Sequence, residues 1–410
     1  MKYLPLETVG AARSGYQQQV KEANIKRIFD LVRSGKCKSR AELVRTMKLS
    51  ATSVSVLVEE LADRGLIDEV GPTQTSLPGR RPISLRLNSE CRQLVVFTLL
   101  REGVQYALLN LDCRVIESAF YPFPSSELPA GDAGDRYAAL FEHILSRRAR
   151  RFNRDQALVV GLNLPGLYLQ SQRTFINQTS LGVDLSEEAI CRFRDRIGLP
   201  VYLFNGTKSL AYAEKKRLDA AYPDDPETLD LVFVEIRNRI SCALIARGNI
   251  YTGPYDVAGE IGHFTIDYNG KPCPCGNRGC LERYVSQDAI LEDARKAAGA
   301  AGIEPPKSFE ELALRYEKEP PLRDSVLNSA RLLAFGLYSV LCSSGMRRVA
   351  LGGGVEILGE PFLLELYHAL LSRSLLVRHL ELSYALAGPD AESIGLAQYF
   401  LDKVFTITNG

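Results

Sequence analysis

Residues 17–34 place Val20, Ile25, Ile28, Phe29 and Val32 on one helical stripe, and Gly35 follows as a stop. A second, shorter helix is predicted to open at Ser39, with Glu42 at capping-box spacing, and to carry Ala41, Leu43, Val44 and Met47. A third runs from a Ser50 cap to Gly65, its apolar stripe made of Val54, Leu57, Val58 and Leu61. Strands follow at 66–71 and 82–88, the second alternating apolar and polar positions. From residue 91 the pattern changes. Three consecutive strands are predicted over 94–123, a helix over 135–152 and a buried strand over 157–166 that ends in a Pro-Gly turn. A helix across 186–197 and a strand ending at Asn205 complete the set. The same succession then recurs, with a strand meander at 229–251, helices near 323–346 and a Gly-rich strand end at 349–355. Meander, helix, strand, helix, occurring twice, predicts two duplicated α/β lobes.

The expected organisation is a head over residues 1–88, a first lobe over 89–205 and a second over 206–390. A C-terminal helix near 391–405 is expected to complete the first lobe. No run approaches the roughly 18 apolar residues that cross a bilayer, and the first residues lack an apolar signal core. Nine cysteines in 410 residues are too sparse for a disulfide scaffold. The expectation is a cytoplasmic protein that does not engage a membrane.

Charge adds a direction. The whole chain is balanced at +1, but residues 1–90 carry 15 basic and 10 acidic side chains, a net +5, leaving −4 for the rest. Three short helices with a tight turn before the third, then two strands joined by TQTSLPGRR, form a winged helix-turn-helix. Its third helix is expected in the major groove of double-stranded DNA, with Ser50, Thr52, Ser53 and Ser55 at its start. Ser39 and Arg40 at the second helix, and Arg80 and Arg81 in the wing, complete the candidate DNA contacts.

The sharpest local signal is AGEIGHFTIDYNGKPCPCGNRGCLERY at 258–284. His263, Cys273, Cys275 and Cys280 offer one imidazole and three thiolates, the donor set of tetrahedral zinc. Four protein ligands leave no position for water, so one structural Zn2+ per chain is expected.

This segment resembles the zinc signature of the ROK family of repressors, open reading frames and sugar kinases. The head, with its Gly-Arg-Arg-Pro at 79–82, resembles that of the family's repressor branch, and NLPG at 163–166, GLPV at 198–201 and LGGGV at 351–355 extend the likeness. The resemblance implies an α/β protein with a bilobal actin-like, ribonuclease H-like sugar-kinase fold behind a DNA-binding domain, assembled as a homodimer or homotetramer. It also implies that Asn205, Glu260, His263 and Glu282 match residues that bind sugar hydroxyls. The family's kinase parts are missing. Its first phosphate loop aligns with Thr98, Leu100, Arg101 and Glu102, and its second with Arg237, Asn238, Arg239, Ile240 and Ser241. Its catalytic Asn-Asp-Ala is here Asn205, Gly206, Thr207, and glycine takes up no proton. A segment that carries tryptophan in the family appears as Thr179–Val183, without an aromatic residue. The expectation is a transcriptional regulator, a repressor, of sugar metabolism or transport genes. Its body would sense a sugar or sugar derivative without catalysing phosphoryl transfer. Two alternatives stand beside it: a sugar kinase with unorthodox catalytic residues, and a regulator that answers to a protein partner.

Overall fold

A computed structural model describes residues 16–72, 83–122, 133–169, 174–176, 187–223, 225–373, 379–385 and 388–407. The chain opens with α1 (Tyr16–Arg33), α2 (Arg40–Met47), α3 (Ala51–Asp63), β1 (Ile67–Pro72) and β2 (Ile83–Leu87). Next come β3 (Gln93–Leu100), β4 (Gly103–Asn110), β5 (Val115–Pro122), α4 (Ala133–His143) and β6 (Ala157–Leu164). A small hairpin, β7 (Leu167–Leu169) and β8 (Thr174–Ile176), precedes α5 (Glu187–Ile197), β9 (Val201–Asn205) and α6 (Gly206–Ala221). The second half carries β10 (Leu231–Ile236), β11 (Ile240–Ala246), β12 (Asn249–Tyr251), α7 (Glu282–Val285), α8 (Gln287–Ala301) and α9 (Phe309–Arg315). It closes with α10 (Pro320–Ser344), β13 (Arg348–Gly352), α11 (Gly359–Leu371), β14 (Glu381–Tyr384) and α12 (Ala391–Tyr399), which runs on through a π turn, Phe400–Val404.

The described residues divide into two compact units. The first takes the chain up to Leu164, α5, the strand β9 up to Phe204, and the chain from Leu396; the second takes β7, β8 and Asn205–Gly395. In the first, Ile25, Ile28, Phe29, Leu43, Val54, Val58 and Leu61 pack into the core of a three-helix head. Its wing pairs β1 with β2, antiparallel from Ile67↔Leu87 to Val70↔Ser84, and the Leu85 N–H bonds to the Lys38 carbonyl at 2.8 Å. Each unit also holds a five-stranded sheet, ordered β5-β4-β3-β6-β9 in the first and β12-β11-β10-β13-β14 in the second. Both orders have the form third-second-first-fourth-fifth. β3–β4–β5 and β10–β11–β12 are antiparallel, whereas β6 and β13 join β3 and β10 in parallel. All six residues of β10 are buried, as a strand covered on both faces requires.

Four expectations need correction. Val20 is 40% exposed, because on an ideal helix it sits about 130° from the centre of the stripe formed by Ile25, Ile28, Phe29 and Val32. Ala41 is exposed and Val44 half-buried, so α2 buries chiefly Leu43 and Met47. The helix expected over 135–152 ends as α-helix at His143 and continues only as a π turn to Arg148. Finally, α10 is long and apolar enough, over 25 residues, to cross a membrane. It is a core helix here, with ten residues from Leu322 to Leu341 buried, several of them beside α8 and α11.

The head is docked on the end of the chain. The Arg33 guanidinium pairs with Asp402, both side chains largely buried, and Phe29 meets Phe405 edge-on with ring centroids 5.6 Å apart. The bond is made by Arg33 Nη2, and Arg33 Nε, also buried, has no hydrogen-bond partner among the described residues. Asp402→Ala would leave a buried guanidinium unpaired, at a cost of about 3 kcal/mol. We expect a lower urea midpoint for Asp402→Ala and substantial recovery when Arg33→Met is combined with Asp402→Leu. An unchanged midpoint in the single variant would contradict the pair's structural role.

Candidate functional site

The site of the second unit begins with two glycines. Gly259 has φ +102°, and a Cβ there would lie 2.1 Å from the Cys242 carbonyl oxygen; at Gly262 it would lie 2.4 Å from that of Ile240. Only glycine allows the segment to run this close to β11, where the Cys242 N–H bonds to the Gly259 carbonyl at 3.1 Å. A 3₁₀ turn, Ile261–His263, then buries Ile261 and Gly262 and leaves Glu260 and His263 half-buried.

The loop that follows folds back on itself. Isolated bridges pair Thr265 with Cys280 and Pro272 with Arg278, and Leu281 N–H bonds to the Phe264 carbonyl at 2.9 Å. Gly279, at φ +67°, again stands where a Cβ would collide, 1.6 Å from the Asp267 carbonyl oxygen. This closure brings His263, Cys273, Cys275 and Cys280 together, with their donor atoms within 4.8 Å of one another. Cys275 and Cys280 sulfurs are 3.7 Å apart, as are Cys273 Sγ and His263 Nδ1. Tetrahedral zinc at ordinary bond lengths separates two such ligands by roughly 3.5–3.8 Å. The four residues therefore fit zinc in chemistry and spacing. The Asn277 backbone N–H holds the Cys275 thiol below its usual range, while burial pushes the Cys273 and Cys280 thiols up.

Glu282, the first residue of α7, accepts a bond from Cys273 Sγ at 3.2 Å and lies 3.8 Å from His263 Nδ1. Burial raises the Glu260 carboxyl, an effect opposed by His263 and Lys208. Asn205 ends β9 and caps α6. Its Oδ1 accepts from the Lys208 N–H and its Nδ2 donates to the Gly166 carbonyl, each at 3.0 Å. Glu260, His263 and Glu282 thus act on one another, whereas Asn205 joins them through Lys208. That lysine was not anticipated. Burial pulls its ammonium below the usual lysine range, opposed by Asp256 and Glu260. Its signal was its place one turn into α6 after Asn205.

The positions aligned above with the family's phosphate loops and catalytic base make contacts of their own. The β3–β4 connection is a two-residue turn, Arg101–Glu102. Arg237, just after β10, pairs with Glu235 at 3.0 Å and with the buried Glu392 at 2.6 Å, and Thr207 Oγ1 donates to Glu235. A Cβ on Gly206 would be 2.8 Å from Glu392 Oε2, so a carboxylate does stand beside that position, but one engaged by Arg237. The LGGGV glycines serve packing: a Cβ on Gly353 would meet Glu235 and Ile236, and Gln287 bridges the Ile236 and Gly353 carbonyls at 2.9 Å each.

In the head, Thr52 and Ser53 are exposed and Ser55 is half-buried at the start of α3. Ser50 Oγ caps that helix, accepting from the Ser53 N–H at 3.1 Å. Ser39 is buried and caps α2, accepting from the Glu42 N–H, while Glu42 itself accepts from the Lys38 N–H at 2.6 Å. Arg40 pairs with Glu69 at 2.8 Å and Glu59 at 3.2 Å. Structural roles therefore occupy Ser39, Ser50 and Arg40. Arg80, Arg81 and Thr179–Val183 lie outside the described residues.

The pattern that defines the ROK family matches residues 136–403. The xylose repressor of Bacillus subtilis is 25% identical over 391 residues, covering 94% of this chain and 97% of that protein. The DNA-binding transcriptional repressor Mlc of Escherichia coli is 24% identical over 289 residues, 70% of this chain and 68% of its own. A solved ROK family transcriptional regulator, described as a homolog of the E. coli Mlc protein, aligns with a TM-score of 0.78 at 22% identity, covering 93% of this chain and 97% of its own. A ROK family glucokinase from Streptomyces griseus, solved with glucose and AMPPNP, aligns at 0.61 and 20%, covering 75% and 98%. These likenesses agree with the actin-like α/β fold seen in the strand orders.

The loop 263–280 is held by its backbone bridges, by Lys271 against Tyr284 and Asp293, by the Asn277–Thr265 bond and by the four candidate ligands. Cys280→Ser replaces a buried soft thiolate with a hard hydroxyl. We expect about one zinc per purified parent chain and close to none in the variant, with a lower melting temperature. Parent protein free of zinc after metal-buffered purification would refute the assignment.

Proposed function

The chain belongs to the ROK family, and from that premise we propose a DNA-binding transcriptional repressor of sugar uptake or breakdown genes whose kinase-type body serves as an effector sensor. The observation that carries the reading is the pairing of a winged helix, its third helix exposed at Thr52 and Ser53, with a body whose phosphate-loop position is filled by Arg237. Phosphoryl transfer needs backbone cradles for phosphate and a base for the sugar hydroxyl. Here large side chains replace the glycines. The carboxylate nearest Gly206 is buried and raised by that burial, with Arg237 opposing the rise. This disfavours the kinase alternative.

Asn205, Glu260, His263 and Glu282 are the proposed sugar contacts, and a structural zinc on His263, Cys273, Cys275 and Cys280 would hold two of them in register. Bound zinc would supply stability, with its four protein ligands leaving no site for substrate. The double assignment of His263 resolves simply: Nδ1 faces Cys273, leaving Nε2 for a hydroxyl. Such polar sites reject analogues that leave their buried groups unpaired. A homodimer on a two-fold operator would set its recognition helices about 34 Å apart, or a multiple of that. Sugar binding that alters this spacing would couple effector to DNA, and the coupling is reciprocal.

Fluorescence titration against the promoter next to the protein's own gene tests the reading, with pentoses, hexoses and N-acetylhexosamines as effectors. The relatives' names make xylose the first to try. We expect specific binding that one sugar weakens; affinity equal to that for random duplex at every salt concentration would refute it. Glu260→Gln gives a second check. Burial raises the Glu260 carboxyl above its unfolded value, so its share of stability is present at acid pH and lost as pH rises through the folded pKa. The variant, which carries no charge, should gain relative stability in thermal melts from about pH 5 to pH 8. Calorimetry should show its sugar affinity reduced about tenfold or more.

A further inference from the structure

Resting on the reading of the head as a DNA reader, we infer that the third helix reads thymine methyl groups, selecting half-sites rich in A·T pairs. Four side chains of α3, Val54, Leu57, Val58 and Leu61, are buried in the head. At 100° per residue the opposite arc carries Thr52, Val56, Glu59 and Asp63, flanked by Ser55 and Glu60, with Ser53 at its edge and Ala51 in the first turn beside the buried stripe. Ala51, Thr52, Ser53, Val56 and Glu59 are exposed, and Val56 shows 52% of its surface.

The chemistry of that arc is unusual for a reading helix. From Ala51 to Asp63 it has no Lys, Arg, Asn or Gln, and three acidic residues, Glu59, Glu60 and Asp63. Guanine is commonly read in the major groove by Arg or Lys, and adenine by Asn or Gln. Neither reader is present. The Arg40 guanidinium, beside the Ser55 carbonyl, is held by Glu69 at 2.8 Å and by Glu59 at 3.2 Å, and Arg64, just past the helix, is held by Glu60 at 2.8 Å. The pair with Arg40 occupies Glu59, the exposed acceptor one turn beyond Ser55 that would otherwise take the cytosine amino group; Asp63, exposed on the same stripe, stands at the far end of the helix.

What remains is the Ala51 methyl, the Val56 isopropyl group, the Thr52 methyl and a set of small hydroxyls. Of the four bases only thymine offers an apolar contact in the major groove. Phosphate attraction comes from elsewhere, since Lys36, Lys38, Arg45 and Lys48 are exposed around α2. Affinity and base choice are thereby divided between two elements.

The test uses the full-length protein. In vitro selection from a random duplex library is followed by titration of the selected duplex with deoxyuridine in place of each thymine, which removes only the C5 methyl group. We expect A·T-rich half-sites and an affinity loss of about fourfold per methyl contacted. Val56→Ala, on an exposed position whose melting temperature should not move, should abolish the thymine–uracil difference at one position per half-site. Val56→Arg should shift selection at that position to guanine. Enriched half-sites rich in G·C, or indifference to uracil, overturn this inference while sequence-specific DNA binding stands. Selection that enriches nothing overturns both.

Discussion

The site of the second unit depends on how closely residues 259–262 approach β11. A side chain at Gly259 or Gly262 would enter the carbonyl of Cys242 or Ile240, so any substitution lifts the segment away from the sheet. That segment carries Glu260 between the two glycines and His263 just after them. The imidazole fixed in this way is the first of four candidate metal donors, and the other three come from a loop closed at Gly279 by an equally close approach. Glu282 follows Cys280 by two residues and bonds back to Cys273. A backbone constraint with no chemistry of its own thus sets the positions of two carboxylates, an imidazole and three thiols.

The same economy explains what the sequence made legible. The metal donors lie within 18 residues of one another, so their spacing is visible without knowledge of the fold. The two meanders are legible for a related reason: strands joined by tight turns announce their pairing, and the turn at Arg101–Glu102 fixes the whole β3–β4 register. The head was legible in its caps. Ser39 and Ser50 each open a helix, with the side-chain oxygen accepting from a backbone N–H three residues on. Val20 was misread because a stripe of five apolar residues tolerates one that is off axis.

What stayed hidden are contacts between residues far apart in the chain. Arg237 and Glu392 are separated by 155 positions, and Arg33 and Asp402 by 369. No periodicity encodes such a pair. Lys208 was hidden differently: a lysine after a helix cap reads as solvated surface until Asp256 and Glu260 are found beside it. Arg237 was plain in the sequence, but its partners were not. Glycine at 206 carries no side chain, and the structure adds that Glu392 lies beside that position, engaged by Arg237.

Both long-range pairs end on one run of helix. Glu392 lies in the first turn of α12, within the second unit, and Asp402 in the π turn that continues it, within the first. Ten residues of helix separate them, about 15 Å at the usual rise. Spatial continuity is not coupling, which requires an element with two arrangements biased from both ends. An Arg–carboxylate pair stands at each end of the run. The π turn, which inserts a residue into the helical ladder, contains Asp402 itself. Arg237 holds the start of α12 through Glu392, within the second unit, and Arg33 of the head pairs with Asp402, within the first. One run of helix therefore carries both carboxylates, each engaged by an arginine far away in the chain.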